Sequence, residues 1–431
     1  MNEAGQFEPK IVAYVCNWCT YLGADLAGTT RLEYPPNVRI IRLPCTGRID
    51  FNLIVKALEI GADAVLVSGC HPGDCHYTAG NYHARRRWIL FRELLAALGF
   101  ELERIHFTWI SAAEGRKWQQ VVTEITEQTR KLGPYTSLYA DSGNGSLPSS
   151  EAVPAVDQPV GSEESLRRRC RQLLAEGTVK VVIGYGTRGP VCVTKPEDVE
   201  RLVWNKQCFS NLTAYLKRQE VRSLGRAAIV VKACDERALV VLEKESQLDR
   251  KDLHVIGMAC NGLGQPKCAT CDIRAPGLAD EVIGEVAPAN AARRGGAALE
   301  ALLAQPPAER MAAWAREFER CVKCYACRQV CPLCYCERCL VEKNRPTVID
   351  PSPTVKGNFA WHITRAFHLA GRCIGCDECT RACPAGIDLR LLNLSLAQAA
   401  EEHFGYRAGI NRDAEPLLGS YSLQDKEDFI R

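Results

Sequence analysis

The sequence predicts an α/β fold that is followed by a mainly helical, cysteine-rich region. Three observations predict it. Short apolar runs alternate with helical patterns in the first third of the chain, the same alternation returns after a linker, and two cysteine motifs of identical spacing lie near the carboxyl end. The chain has 431 residues, 46% of them hydrophobic and 24% charged, which is typical of a globular protein with about two to four domains.

Residues 1–133 are predicted to form a flavodoxin-like, doubly wound parallel sheet. Short apolar runs are suited to buried parallel strands, and a helical pattern follows most of them. The predicted strands are Ile11–Val15, Val38–Leu43, Ala64–Val67 and His106–Ile110, and the predicted helices are Phe51–Ile60, Ala84–Leu98 and Lys117–Leu132.

Five cysteines fall at or just after the ends of these strands: Cys16, Cys19, Cys45, Cys70 and Cys75. Because the carboxyl ends of parallel strands lie at one edge of a sheet, we expect the five thiols to meet there. Four thiolates suit either a 2Fe–2S cluster or zinc, and their spacing does not separate the two. Buried free thiols are the third alternative.

Residues 11–133 also carry local motifs that resemble those of a known family, the delta subunit of methyl-viologen-reducing hydrogenase. The motifs are Cys16-Asn17-Trp18-Cys19, Tyr34-Pro35-Pro36-Asn37-Val38-Arg39, Gly69-Cys70-His71-Pro72-Gly73-Asp74-Cys75-His76-Tyr77 and Trp109-Ile110-Ser111-Ala112-Ala113-Glu114-Gly115. The resemblance implies a 2Fe–2S cluster held by four of the five cysteines. It also implies partners: a hydrogenase, formate dehydrogenase or NADH-oxidising subunit on one side, and a flavin-bifurcating, heterodisulfide-reductase-like subunit on the other.

Residues 134–161 read as a linker, and residues 162–300 as a second α/β domain. Ser162 is a good N-cap for a helix through Leu166–Leu174 that stops at Gly177. The other predicted elements are strands at Val179–Ile183, Ala228–Val231 and Leu253–Ile256, and a helix at Arg237–Glu245.

This second domain is expected to hold a third 4Fe–4S cluster. Two cysteines follow neighbouring strands and two more form a C-x2-C pair; they are Cys234, Cys260, Cys268 and Cys271, with Cys208 as a possible substitute. Zinc or a structural thiol set remain alternatives.

The glycine-rich stretch Gly184–Pro190 could approach a phosphate or a flavin such as FAD. It lacks the dinucleotide fingerprint, and Pro190 disfavours a helix directly after it. The domain is loosely similar to the beta subunits of deazaflavin-dependent hydrogenases and dehydrogenases, which carry flavin and iron–sulfur clusters.

Residues 301–400 are predicted to form a mainly α, ferredoxin-type domain with two 4Fe–4S clusters, because the motif C-x2-C-x2-C-x3-C-P occurs twice. In this motif the fourth cysteine ligates the other cluster. One cluster would take Cys321, Cys324, Cys327 and Cys383, and the other Cys373, Cys376, Cys379 and Cys331. Zinc is disfavoured, since its sites use paired C-x2-C knuckles.

Three extra thiols, Cys334, Cys336 and Cys339, have no counterpart in a plain ferredoxin. They could complete a further cluster, compete as ligands or shield the second cluster. Helices are predicted at Ala301–Arg320 and Leu389–Ala399, with a long insert at Pro346–Ala370. Residues 401–431 form a tail, which we expect to be loose from Gln424 onward.

Composition limits the classes of function that the chain can have. The amino terminus has no secretory signature and no run approaches a membrane span, so a reducing cytoplasm is expected, where clustered cysteines indicate metal or redox chemistry. A net charge of +3 gives no case for nucleic acid. The sequence thus predicts an iron–sulfur electron-relay subunit of an oxidoreductase complex in anaerobic metabolism. The alternatives are a catalytic flavin subunit that reduces a deazaflavin or nicotinamide, and a zinc-bound redox sensor or scaffold.

Overall fold

The computed structural model describes residues 7–136, 145–149, 160–286, 296–342, 347 and 349–430. Two sheets with flanking helices are followed by a helical region, so the predicted α/β class is confirmed. No helix within the described ranges is both long and apolar enough to cross a membrane.

The first sheet is parallel throughout, as predicted, with the strand order β2-β1-β3-β4. Its strands are β1 (Ile11–Cys16), β2 (Val38–Leu43), β3 (Ala64–Gly69) and β4 (Ile105–Trp109), and its helices are α1 (Thr20–Thr29), α2 (Asn52–Glu59), α3 (Gly80–Leu98) and α4 (Gly115–Leu132). Helices α1 and α4 cover one face of the sheet, and α2 and α3 cover the other.

Two details of this sheet differ from the prediction. Strand β2 lies at the edge, where Ile40 and Ile41 are exposed instead of buried. Helix α1 was not predicted, because its small residues give it almost no apolar period. Those small residues allow close packing: a side chain on Gly23 would lie 2.7 Å from the carbonyl oxygen of Ser111.

The second sheet has the order β6-β5-β7-β8-β9, with β5 and β6 antiparallel and the other pairs parallel. Its strands are β5 (Val181–Gly186), β6 (Gly189–Val193), β7 (Ala227–Val231), β8 (Leu253–Met258) and β9 (Glu281–Ile283), with helices α5 (Glu163–Ala175), α6 (Gln219–Arg222), α7 (Ala233–Lys244) and α8 (Pro266–Ala269). The predicted cap is present: the Ser162 hydroxyl accepts a hydrogen bond from the Ser165 amide at 3.1 Å.

The glycine-rich stretch Gly184–Pro190 forms a β-hairpin. Thr187 and Arg188 make the turn between β5 and β6, and Gly189 has a φ of +120°, which favours glycine. This stretch therefore does not form the strand-to-helix loop that cradles a dinucleotide phosphate.

Six further α-helices follow among the described residues: α9 (Gly296–Ala304), α10 (Pro307–Glu319), α11 (Ala326–Gln329), α12 (Val355–His368), α13 (Glu378–Arg381) and α14 (Leu389–Phe404). The prediction of one helix over Ala301–Arg320 is wrong. The chain breaks between α9 and α10 because Pro306 and Pro307 cannot continue a helix, whereas Pro307 is well suited to start the next one.

The first sheet and the carboxyl-terminal helices share one hydrophobic core. Phe367 of α12 packs edge-on against Phe51 and Phe91, with ring centroids 5.7 Å and 5.5 Å away. The indole of Trp314 donates a hydrogen bond to the Ala97 carbonyl at 3.3 Å. The composition of the linker predicts two halves that separate when it is cut. The interface that residues far apart in sequence bury here argues against that prediction, and we expect the halves to stay together.

The carboxyl-terminal tail is pinned, contrary to the expectation of a loose end from Gln424. Arg86 forms a two-pronged ion pair with Asp425 at 2.8 Å and 2.9 Å, and Arg85 pairs with Glu427. Phe429 packs against Phe107 of β4.

Much of the predicted linker, including residues 142–144 and 150, lies outside the described residues. Residues 145–149 are described, and they rest on α10. Gly145 is buried, and a side chain there would lie 2.1 Å from the Glu309 carbonyl oxygen.

Candidate metal centres

The five amino-terminal cysteines meet at one edge of the first sheet, in the place that the sequence predicts. Cys16 ends β1, and Cys70 directly follows β3. The sulfurs of Cys16 and Cys70 are 3.5 Å apart, and those of Cys45 and Cys75 are 3.8 Å apart. Cys19 is also hydrogen-bonded to Cys70. We call this group the thiol rim.

Backbone amides at the rim are directed at sulfur. The Cys16 sulfur accepts hydrogen bonds from the Cys70 thiol and from the amides of Trp18, Cys19 and Thr46, and these bonds lower the pKa of Cys16. The Gly47 amide points at the Cys45 sulfur from 3.4 Å. Such hydrogen bonds stabilise thiolates and tune the potential of a cluster bound to them.

Two glycines keep the rim tightly closed. A side chain on Gly80, the first residue of α3, would lie 2.4 Å from the Cys45 sulfur and 3.3 Å from the Cys75 sulfur. A side chain on Gly47 would lie 2.7 Å from the Gly80 carbonyl oxygen. Backbone and sulfur therefore approach each other at a distance that only glycine permits.

The two ferredoxin-type motifs share one backbone conformation. The second and fourth residues after the first cysteine have a left-handed backbone conformation, with positive φ, in both motifs: Lys323 and Tyr325 in one, Gly375 and Asp377 in the other. A non-glycine residue in the left-handed region is uncommon and costs energy, so three of them at matching positions indicate a loop fixed by its function. Each loop leads directly into a short helix, α11 or α13.

Beyond each short helix, the fourth cysteine lies near the other motif. Burial raises the pKa of Cys321, and the Cys383 thiolate raises it further. Burial likewise raises the pKa of Cys373, and Cys331 adds to that effect. A cavity of about 20 Å³ is lined by the four cysteines that the sequence assigns to the second cluster, Cys331, Cys373, Cys376 and Cys379.

A buried arginine that sequence reasoning missed lies between the motifs. Arg365 of α12 is 5% exposed and donates a hydrogen bond of 3.0 Å to the Cys327 carbonyl. Burial by itself lowers the pKa of Arg365, but four thiolates raise it well above its ordinary value; they belong to Cys379, Cys334, Cys327 and Cys331. Only the folded insert brings this cation to the cysteines, so no local motif could have revealed it.

The four cysteines of the second sheet line one cavity of about 130 Å³: Cys234, Cys260, Cys268 and Cys271. Cys373 of the second ferredoxin-type motif lines the same cavity. Cys208 does not join them, because its thiol packs within its own loop, 3.5 Å from the Val203 carbonyl oxygen and 3.2 Å from the Asn205 amide.

Two buried lysines, which sequence reasoning also missed, line this cavity. Lys232 is 1% exposed and pairs with Asp235 at 2.5 Å. Lys267 is 7% exposed and donates to the Phe209 carbonyl at 2.8 Å. Burial raises the pKa of Cys234, and both lysines oppose that rise. Cations beside buried thiols offset the charge that a thiolate-bound centre would bring.

The extra thiols Cys334, Cys336 and Cys339 line a separate cavity of about 460 Å³ between the first sheet's helices and α12. Cys334 donates a hydrogen bond to Cys331, which lowers the pKa of Cys331. Within the described ranges, no three His, Cys, Asp or Glu side chains converge tightly enough to hold a single metal ion.

Comparisons with known proteins identify the family of the first part of the chain. Residues 11–133 match the family described as methyl-viologen-reducing hydrogenase, delta subunit. An iron-sulfur subunit of the F420-non-reducing hydrogenase of Archaeoglobus profundus is 53% identical over 130 residues, which make up 30% of this chain and 95% of that protein. Through this region the chain belongs to the delta-subunit family.

Relatives of this region occur in two settings. The iron-sulfur protein of the vhc F420-non-reducing hydrogenase of Methanococcus voltae is 52% identical, over 31% of this chain and 92% of the relative. A component of the ferredoxin:CoB-CoM heterodisulfide reductase of Methanosarcina mazei is 42% identical over 30% of this chain, but the match covers only 16% of that larger protein. The delta-subunit region therefore occurs both by itself and fused to other domains, as it is here.

Proposed function

We propose that this chain is an iron–sulfur electron-relay subunit of an oxidoreductase complex. The observation that carries the proposal is that two of the cysteine-lined sites adjoin one another. Cys373 and Gly375 line both the small cavity of the second ferredoxin-type motif and the cavity of the second sheet. Neighbouring single-electron centres form a path for electrons.

The proposed sites are those predicted from the sequence. The rim would hold a 2Fe–2S cluster through four of its five thiols, the two motifs would hold two 4Fe–4S clusters with exchanged fourth ligands, and the cavity of the second sheet would hold a third. The donor sets fit this chemistry, because they are rich in thiols, receive backbone amide hydrogen bonds and have cations nearby.

When bound, such clusters accept and release single electrons. The chain's own residues would set the conditions for this transfer. Amides at the rim would hold the thiolates in place, Arg365, Lys232 and Lys267 would favour the reduced, more negative state, and the shared core would exclude water from the buried sites.

The names of the relatives support partners of two coarse kinds, a hydrogenase and a heterodisulfide reductase. Our finer proposal is a hydrogenase, formate dehydrogenase or NADH-oxidising subunit on one side, and a flavin-bifurcating, heterodisulfide-reductase-like subunit on the other. The rim offers them a contact surface, because Trp18 is 39% exposed and Tyr77 is 53% exposed beside the cysteines. Exposed aromatic residues are favoured at protein interfaces.

An anaerobic reductive titration tests the relay role. The full chain, loaded with clusters, should take up about four electrons, one for each of its four proposed centres, and should release no flavin on denaturation. Release of stoichiometric flavin, together with reduction of a deazaflavin or nicotinamide by the chain alone, would instead support a catalytic flavin subunit. Uptake of no electrons would contradict both roles.

A further inference from the structure

The three extra thiols lie on the wall of a cavity that the proposed relay leaves unused. Cys334, Cys336 and Cys339 line this cavity of about 460 Å³ together with residues from both ends of the chain. We call it the junction cavity. On one side it is bounded by Asp50 and Arg87 of the delta-subunit region.

The loop that carries these thiols is held in place by a buried arginine. Arg328 is 8% exposed, donates to the Cys336 carbonyl at 3.4 Å and pairs with Glu342. Glu342 in turn accepts a hydrogen bond of 3.1 Å from the Cys339 amide. The loop conformation therefore does not depend on a bond between the thiols themselves.

A second basic residue fixes the start of the loop. Lys217 donates hydrogen bonds to the carbonyls of Cys331 and Cys334, at 2.9 Å and 3.1 Å. Arg328, Arg365 and Arg372 also line the cavity. Arg328 pairs with Glu342 and Arg372 pairs with Glu245, whereas Arg365 faces the Cys334 thiolate directly. These cations reduce the cost of holding several thiolates at this site.

The junction cavity lies between sites that the relay must connect. Arg87 lines it and donates a hydrogen bond of 3.1 Å to the Gly47 carbonyl, in the turn that directly follows Cys45 of the rim. On its other side, Arg365 lines both the junction cavity and the cavity of the second ferredoxin-type motif. An electron carrier here would join the rim to the two motifs.

We propose that Cys334, Cys336 and Cys339 hold a further 4Fe–4S cluster in the junction cavity, with His368 on the cavity wall as the available donor for the fourth iron. The proposal rests on the relay function. It places the proposed clusters in one order along the electron path: the thiol rim, the junction cavity, the ferredoxin-type pair and the cavity of the second sheet. A cluster with one non-cysteine ligand would have a different potential from its neighbours, because ligand identity sets the potential.

Iron analysis of the full chain tests the proposal. Anaerobically purified protein should contain about eighteen irons, four more than the relay alone requires, and Cys336→Ser combined with Cys339→Ser should lose about four of them. Cys192→Ser is the matched control, since Cys192 is a partly buried thiol of β6 that lines none of these cavities. The irons that remain in the double variant report that it is folded.

The outcomes separate the two claims. If the wild-type chain and the double variant both hold about fourteen irons, the junction cluster is wrong and the relay stands. If neither holds iron, the relay itself is wrong. If Cys334→Ser alone loses a cluster while the double variant loses none, Cys334 serves the second motif in place of Cys331 and the proposal is overturned.

A histidine variant tests the fourth donor. In His368→Ala, mild anaerobic oxidation with ferricyanide should release about one iron per chain and leave a three-iron cluster, visible by EPR spectroscopy. An EPR spectrum and iron count equal to those of the wild-type chain after the same treatment would exclude His368 as a ligand.

Discussion

Arg365 donates a hydrogen bond of 3.0 Å to the carbonyl of Cys327, and its guanidinium lies between the two ferredoxin-type motifs. Its Nε has no hydrogen-bond partner in the part of the chain that the structure describes, although the residue is only 5% exposed. A buried cation with a spare donor is costly unless negative charge surrounds it. Thiolate-bound clusters on both sides would supply that charge.

Replacing Arg365 should lower the reduction potentials of both neighbouring clusters. Loss of one buried positive charge makes the reduced state less favourable, by on the order of 50 mV for a one-electron centre. Arg365→Leu should show this shift in an EPR-monitored redox titration, while Arg365→Lys should keep most of the wild-type potential. Arg188→Leu, at the exposed hairpin turn, is the control. Equal potentials in all four proteins would contradict the assigned role.

Because each ferredoxin-type motif is expected to supply the fourth ligand of the other motif's cluster, a substitution in one motif should impair the cluster of the other. Cys383→Ser should impair the cluster nested in Cys321, Cys324 and Cys327, because the Cys383 thiolate lies near Cys321 and Cys327. EPR spectra of the reduced variant should lose the signal of that cluster first. The assignment fails if Cys331→Ser leaves both clusters intact while Cys334→Ser destroys one.

We expect that the cluster proposed for the cavity of the second sheet can be removed without loss of the other clusters. Changing Cys268 and Cys271 together to serine should cost about four irons and leave the remaining clusters in place. Cys208→Ser is the matched control, since this thiol packs within its own loop. Equal iron losses in the double variant and in the control would remove the distinction that the structure draws between these cysteines.

The pinned tail predicts a large effect from a conservative change. Asp425→Asn leaves the buried Arg86 guanidinium without its charge partner, and breaking such a buried pair costs about 3–5 kcal/mol. Thermal unfolding under anaerobic conditions should show the loss, and Asp428→Asn, at an exposed position of the same tail, should show almost none. Equal stability of both variants would mean that the tail does not dock in solution.

Local patterns predicted the elements that depend on local chemistry. The buried strands β3 and β7 consist mainly of apolar runs, and the cap at Ser162 is a short-range hydrogen bond, so the local sequence predicts both. The meeting of the rim cysteines followed from topology, since parallel strands end at one edge.

Long-range packing escaped prediction for a physical reason. Phe367 and Phe51 belong to patterns that look complete by themselves, and only the folded chain joins them in one core. The same holds for Arg86 and Asp425, and for Arg365 among the cysteines. The hairpin at Gly184–Pro190 was missed because its glycines serve a tight turn as well as they would serve a phosphate loop.

Metal and sulfide content of the full chain, purified without oxygen, tests the central claim most directly. The relay predicts about fourteen irons with an equal amount of acid-labile sulfide, or about eighteen of each when the junction cavity is also filled. Stoichiometric zinc with no sulfide would contradict the relay and would support the zinc-bound sensor or scaffold instead.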